Sequence, residues 1–430
     1  MDKRFANPFG LTEEQAIALL NTPLDELEDK SDRYIAASYL RNCPSEASIQ
    51  ALIAAVKNDR PELDNRIVRR KAVESLGRLQ ATVALPIIRD CLAEDDCYTV
   101  ENAVWAIGQI GSEDEEILAE IAQLLEKPGQ SYRVIIHTLA KLDYAPAQES
   151  IQKFTTSSQL PVASAAIAAV CQLSGDYTGI QSVVEFLQHT NVNARRAAIQ
   201  DLIDARHYPA IAPISRAPVS VSLRLRGIRL LAELGIPSGK VTFSEVEPYL
   251  DRVIQDHPDT LELVHEYDET PSIEFTIQEL YQTDFGRCYL AIKTLLEVYP
   301  DSAGPALMAT FSEKAYADYG AHYNVVKLLG WLRYEPSYDL LLEALNNQEP
   351  QFQKSRGGAA IALGNLGDSR AIPHLMACLN SPVWQLNYAC VMALQQLKEP
   401  VLEAIDLDSA DFLIRAKFQK LSSAGLTHSL

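Results

Sequence analysis

A short pattern recurs along this chain at nearly constant spacing, and that spacing limits the fold more than any other feature. It consists of a residue pair, an apolar stretch, and Leu-Gly or its equivalent. It stands as Arg69-Arg70-Lys71-Ala72-Val73-Glu74-Ser75-Leu76-Gly77, then as Glu101-Asn102-Ala103-Val104-Trp105-Ala106-Ile107-Gly108. It returns as Arg133-Val134-Ile135-Ile136-His137-Thr138-Leu139-Ala140. Aligned on Gly77 and Gly108, the later equivalents are Ala140, Cys171, Asp204, Glu233, Glu297, Gly330, Gly364 and Gln395. Neighbours lie 29 to 34 residues apart, except for one gap of 64, which is room for a degenerate repeat. Unrelated domains would not keep such a period.

Each unit reads as two helices. The first carries Pro and Leu at helical spacing, as in Ala84-Leu85-Pro86-Ile87-Ile88 or Ala371-Ile372-Pro373-His374-Leu375. A polar turn such as Glu94-Asp95-Asp96 leads to the second helix, where the terminal glycine suits a left-handed cap. An isolated helix pair cannot bury its apolar face, so neighbours must stack. The expected fold is all-α: a curved α/α solenoid of about ten HEAT-like helix-pair repeats with a concave ligand or partner face. The expected organisation is an N-terminal array over 1–237, a degenerate repeat with an acidic loop over 238–283, a C-terminal array over 284–400, and a helix and tail over 401–430.

Composition narrows the function. Of 430 residues, 47% are hydrophobic and 22% charged, which excludes a disordered chain. The formal charge of −19 repels polyphosphate, so nucleic acid is not an expected partner. No apolar run approaches the roughly 20 residues that cross a bilayer, and Met1-Asp2-Lys3-Arg4-Phe5 leads into no signal-peptide core. A cytoplasmic protein without membrane insertion is expected. The seven cysteines are never in CxxC spacing and sit mostly among apolar neighbours, so they read as structural thiols. No metal or nucleotide is expected. Gly235-Ile236-Pro237-Ser238-Gly239-Lys240-Val241 is one residue short of a phosphate-binding loop, and Val stands where its hydroxyl belongs. His265-Glu266 lacks the second histidine of a zinc motif. Gly357, Gly358, Gly364 and Gly367 suit close helix packing.

In such an array the second helices line the inner face. Positions seven and three before the Gly77 equivalents share one helix face. They give Arg70 and Glu74, Glu101 and Trp105, Arg133 and His137, then Asp201, Arg226, Tyr323 with Lys327, and Tyr388. Charge on a helix is usually only a solvated face. Here a Trp and a His share one wall with Arg70, Arg133, Glu74 and Glu101, which combines a flat apolar surface, cationic anchors and a titratable group. A second cluster holds Tyr316, Asp318, Tyr319, His322 and Tyr323, and there Asp318 also suits a helix N-cap. If the array curls, the two clusters face one another.

Two stretches carry a family resemblance: Leu63-Asp64-Asn65-Arg66-Ile67-Val68-Arg69-Arg70-Lys71-Ala72-Val73-Glu74, and Cys97-Tyr98-Thr99-Val100-Glu101-Asn102-Ala103-Val104-Trp105-Ala106-Ile107-Gly108. They resemble the E/F-type phycobilin lyases of cyanobacteria, HEAT-like proteins that attach linear tetrapyrroles to phycobiliproteins. The opening Met1 to Phe5, with Phe9-Gly10-Leu11-Thr12-Glu13-Glu14-Gln15-Ala16, is similar to the single-chain CpeY/MpeZ-type members acting on the α subunit of phycoerythrin. The resemblance covers nearly the whole chain and is strongest up to about residue 140.

The resemblance implies phycoerythrobilin as the bound substrate and apo phycoerythrin α subunit as the partner, with a second lyase or chaperone as a possible helper. Arg70, Arg133 or Arg226 would take its propionates by charge-assisted hydrogen bonds. Trp105 and the tyrosines would pack on pyrrole rings. Asp318 would accept from the pyrrole nitrogens, and His137 or Tyr319 would serve as general acid or base. The chemistry implied is addition of an acceptor cysteine thiol to the ring A ethylidene, so this chain needs no activated cysteine of its own, and its catalysis is positional. Related lyase-isomerases carry an Asn-His-Cys motif that is missing here, which favours a plain lyase over one forming phycourobilin, although single-chain isomerases need not use that motif. The rival readings are a non-catalytic chaperone or scaffold, a chromophore-detaching protein, and a HEAT hydroxylase. The aromatic and basic cluster speaks against the first and the chain length against the second. His137 with Glu101 and Glu74 is too sparse a metal set for the third.

Overall fold

A computed structural model describes residues 10–399, 407 and 410–427. Twenty-four α-helices, with short 3-10 turns, one π-helical turn at Phe311–Ala315 and loops between them, make up the described chain, and no strand occurs among the described residues. The α-solenoid class expected from the repeat is therefore the fold. The contacts divide it into two compact units, Met1–Ser182 and Val183–Leu430. That boundary falls inside the array expected over 1–237, and the segment 238–283 belongs to the second unit.

In the first unit the second helices of successive pairs are α1 (Leu63–Arg78), α2 (Cys97–Ile110), α3 (Tyr132–Lys141) and α4 (Leu160–Ser174). A further pair, Glu13–Asn21 with Asp32–Leu40, precedes the first one the repeat revealed. Thr12 opens it with a reciprocal cap to Gln15. The recurring small residue does not cap helices as the sequence suggested. Gly77 lies within α1, where a Cβ would come 2.7 Å from the Cα of Ala106 on α2. It lets two backbones meet. The left-handed positions fall about three residues later, at Gln80, Gly111, Asp143 and Gly175.

The second unit contains α5 (Val192–Asp204), α6 (Val221–Gly235), α7 (Phe243–Gln255), α8 (Phe285–Val298), α9 (Tyr319–Trp331), α10 (Gln353–Leu366), α11 (Trp384–Gln396) and α12 (Phe412–Thr427). The same glycine row continues, since a Cβ on Gly330 would lie 2.4 Å from that of Ala362. Within the 64-residue interval the helix Ile273–Glu279 and α8 make one pair, and the extra length holds the single helix α7 where a second repeat would supply a pair. Thr242 and Glu245 cap its start reciprocally. The acidic stretch after it, 261–272, is non-helical and is tied down at His265, 2.9 Å from Asp284, which also pairs with the buried Arg195.

Helix α7 packs against α6, α10, α11 and α12. It covers the face that the sequence reading took to be open in this half. Lys327 donates to the carbonyls of Ile254 and Gln255 at the end of α7, and the Tyr388 hydroxyl donates to Asp251 at 2.6 Å. The expected terminal segment 401–430 is described only in part, and within it α12 runs over Phe412–Thr427.

Candidate functional site

The sequence-predicted residues of the first unit are mostly engaged by neighbouring groups of the protein. Arg70 holds Asp96 through two hydrogen bonds, of 2.7 and 2.6 Å, and its guanidinium stacks 4.7 Å from the Tyr98 ring. Glu74 bridges Lys71 and Arg78, and Arg78 in turn lies 5.4 Å over the Trp105 ring. Arg133 donates to the carbonyl of Pro161. Glu101 and His137 are half-buried on α2 and α3. Trp105 and Arg78 border an open polar depression of about 960 Å³, which Arg41, Gln80 and Gln109 also line. Of the predicted set, Trp105 lines it, and Glu74 is connected to it only through its ion pair with Arg78.

The second unit contains a more enclosed cleft with about 620 Å³ of empty space. Its walls come from five helices. Val221, Ser222 and Leu225 of α6 face Ile254 of α7, Tyr323 of α9, Gln353, Lys354, Gly357 and Gly358 of α10, and Gln385 and Ala389 of α11. The central group is Lys354. Its ammonium lies 4.7, 4.9 and 5.1 Å from the ring centres of Phe285, Tyr319 and Tyr323. Three aromatic faces offer a cation their negative quadrupoles without neutralising it. Burial pushes the Lys354 ammonium down to about 8 against the pull of Asp256 and Asp318.

Glycine shapes this cleft in two ways. A Cβ on Gly358 would lie 3.1 Å from the Tyr323 ring, so its absence seats that ring. At Gly357 the nearest atoms would be 3.9 Å away, so its missing side chain is cleft space.

Beneath the cleft lies a buried polar knot. Arg224 pairs with Asp256, which also accepts from the hydroxyls of Tyr289 at 2.9 Å and Tyr323 at 2.5 Å. Burial raises both phenols well above their ordinary range, so they stay donors. Lys327 stands 4.0 Å from Asp256, and burial pushes it down to about 7.

Among the predicted residues of this unit, Tyr319 and Tyr323 flank Lys354, although Tyr319 is 57% exposed and Tyr323 only 2%. Asp318 caps α9, accepting the amides of Gly320 and Ala321 at 2.9 and 2.8 Å. Tyr316 is exposed just before it. His322, expected on the ligand face, is buried between Phe311 and Phe352 at 5.0 and 4.5 Å. Burial lowers it to about 4, so it is neutral near pH 7, and it lies outside the cleft lining. It is one residue from Tyr323, a turn of about 100° around the helix. Arg226 is exposed and bonded to Gln200 at 2.6 Å, away from the cleft lining.

The sequence reading missed Lys354 and the Arg224–Asp256 pair. A lysine beside Gly357-Gly358 was the available signal, but its cage draws on three rings 31 to 69 residues upstream. Among the described residues, no three His, Cys, Asp or Glu are grouped to hold a metal, and no helix is long and apolar enough to cross a membrane.

Stacked helix pairs enclosing an apolar cleft make this, by class, an α-solenoid repeat protein. The HEAT repeat model matches residues 17–100, and the PBS lyase HEAT-like repeat model matches residues 355–381. The chain is 56% identical to the phycocyanin operon protein Y of Pseudanabaena tenuis, over 97% of this chain and 99% of that one. It is 34% identical to the bilin biosynthesis protein CpeY of a Synechococcus, over 87% and 91% of the two chains. A solved complex of CpcE and CpcF of phycocyanin lyase from Nostoc matches 56% of this chain and 94% of its own at 27% identity, with a TM-score of 0.49. The chain belongs to the E/F-type phycobilin lyase family, whose members join a linear tetrapyrrole to a phycobiliprotein cysteine.

Proposed function

We propose that the bilin is phycoerythrobilin and that the acceptor is a cysteine of the phycoerythrin α subunit. The observation that carries this choice is the 34% identity to CpeY across nearly the whole of both chains. In the reaction a C–S bond forms as the exocyclic double bond of ring A opens, and the thiol proton passes to the chromophore. The nucleophile is the acceptor's, so the work of this chain is to hold an extended bilin and present ring A to one thiol. In the first unit Trp105 is the ring-packing group, with Arg70 and Arg133 as cations for propionates and Glu74 and Glu101 beside them; in the second unit Tyr316, Tyr319 and Tyr323 are the ring-packing groups and Arg226 the cation. His137 or Tyr319 moves the proton, and Asp318 accepts from the pyrrole nitrogens. The name of the Pseudanabaena relative favours a second reading, in which a phycocyanin subunit is the acceptor.

Co-expression with a phycoerythrobilin pathway and apo phycoerythrin α subunit tests this. A zinc-fluorescent α band absorbing as phycoerythrobilin is the expected result. A phycourobilin spectrum makes the enzyme a lyase-isomerase, and labelling of a phycocyanin subunit alone replaces the acceptor. A more soluble acceptor carrying no pigment turns the reading to a chaperone.

Asp318 needs a control for its capping bonds. Asp318→Ala removes an N-cap, at a cost of about 1 kcal/mol. Asp318→Ser keeps a capping oxygen and removes the charge. If Asp318 serves the chromophore, both variants lose most attachment, while only the alanine variant melts earlier. A serine variant that attaches bilin at the wild-type rate leaves Asp318 with the cap alone.

A further inference from the structure

We propose that the cleft between α6, α7, α9, α10 and α11 is a carboxylate-anchoring subsite of this enzyme, in which Lys354 binds one propionate of the linear tetrapyrrole. The proposal rests on the bilin lyase reading for the identity of its ligand and on the cleft alone for the ligand's chemistry. The other deeply placed cations of this unit are answered within the protein: Arg224 by Asp256, Arg195 by Asp284, and Lys417 by Glu247 and Asp251. Among the described residues no carboxylate stands within ion-pair distance of Lys354, Asp256 and Asp318 acting on it only from further away, and three rings stand about its ammonium. A cation held among rings keeps its charge for an incoming anion while losing side-chain freedom beforehand, which lowers the cost of binding.

The walls fit the rest of the ligand. Val221, Leu225, Val383 and Ala389 give an apolar slot for the pyrrole that carries the propionate, and Gln353 and Gln385 offer amides at its rim. The slot exists because residue 357 has no side chain. Anchoring a propionate at Lys354 also brings the chromophore against Tyr319, whose ring forms one side of the cage. None of the arginines named from the sequence lines this cleft.

The test is a chemical cycle on the full-length protein. Biliverdin and its dimethyl ester are titrated by fluorescence quenching against the wild type, Lys354→Gln and Gly357→Leu. A charge-assisted contact predicts that the wild type prefers the diacid by about tenfold or more. Lys354→Gln should weaken the diacid by a similar factor, leave the ester unchanged, and so erase the preference. Gly357→Leu, whose Cβ meets only ordinary contacts, should weaken both ligands together. A merely structural lysine would not change the acid-to-ester ratio. Preference retained in Lys354→Gln, or wild-type binding of both ligands by Gly357→Leu, overturns the proposal. A wild type that does not distinguish the two ligands overturns it as well. Co-expression separates this from the function: attachment by the wild type and equally by Lys354→Gln sinks the subsite and leaves the lyase reading standing. The expected binding cycle from a protein that attaches no bilin does the reverse.

Discussion

Replacing Asp256 by asparagine lowers the stability of the second unit by about 3–5 kcal/mol, the usual cost of stripping a buried charge of its partner. Asparagine keeps the shape and tolerates the left-handed φ of 55° at this position, so the change isolates the charge. It leaves Arg224 fully buried with neutral acceptors alone, the carbonyls of Val219 and Ser215 and the Tyr289 hydroxyl at 2.6 Å. It also leaves Lys327 facing a second cation. The pH dependence follows from Lys327. Its folded value is lowered from 10.5 to about 7, so its charging opposes folding progressively as pH falls from 10.5 to 7 and by a constant amount below that. Without Asp256 the folded value drops further, so the penalty continues to grow below pH 7. Denaturant melts between pH 5 and 9 should show the deficit of Asp256→Asn widening toward acid. Adding Arg224→Met to the same chain should recover part of the loss, because no unpaired guanidinium remains. A single variant within 1 kcal/mol of the wild type, or a double variant worse than the sum, would refute this account of the knot.

The repeat was legible because helix packing writes it into the sequence. Where Gly77 meets Ala106, or Gly330 meets Ala362, two backbones approach too closely for a side chain, and that demand returns with every pair. The first pair lacks the mark, since Asp32–Leu40 ends in Ser38-Tyr39-Leu40, and it escaped notice. The exposure of the inner positions was not legible. Tyr323, Lys327 and Tyr388 obey the same spacing as Arg70 and Trp105, yet α7 lies over them, and a single inserted helix has no period to betray it. The site failed for a related reason. Tyr319 and Tyr323 stand out as a cluster, but the cation they surround lies in α10, beyond the intervening helix Tyr338–Asn346. Only the packing of α9 on α10 brings them together. His322 shows the limit of counting residues in a cluster: five neighbours in sequence point around a helix, and only some share a face.

Because α7 supplies Ile254 to the cleft, what holds α7 should bear on ligand binding, and α12 is one of its supports, joined to it by ion pairs. Lys417 is buried there, bonded to Glu247 at 2.7 Å and to Asp251 at 2.9 Å, with Lys420 also on Glu247. Lys417→Met keeps the length of the side chain and removes the charge. It leaves Asp251 with the Tyr388 hydroxyl and Glu247 with a half-exposed lysine, and should cost about 3 kcal/mol. Burial pulls the Glu247 carboxyl up, but the bonds from Lys417 and Lys420 outweigh it and hold it below its ordinary 4.5. A lowered carboxyl stabilises the fold above 4.5 and loses that contribution as pH falls through its folded value. Acid should therefore release α12 from the wild type below pH 4.5, and from Lys417→Met at a higher pH, where Glu247 has lost its stronger cation. Hydrogen exchange reads this directly: the amides of α12 and α7 should speed up together, while those of α1 to α4 keep their rates. Biliverdin binding should weaken in the same variant even though Lys354 is intact. Exchange confined to α12, with α7 protected and ligand affinity unchanged, would mean that α7 is held by Lys327 and the knot alone.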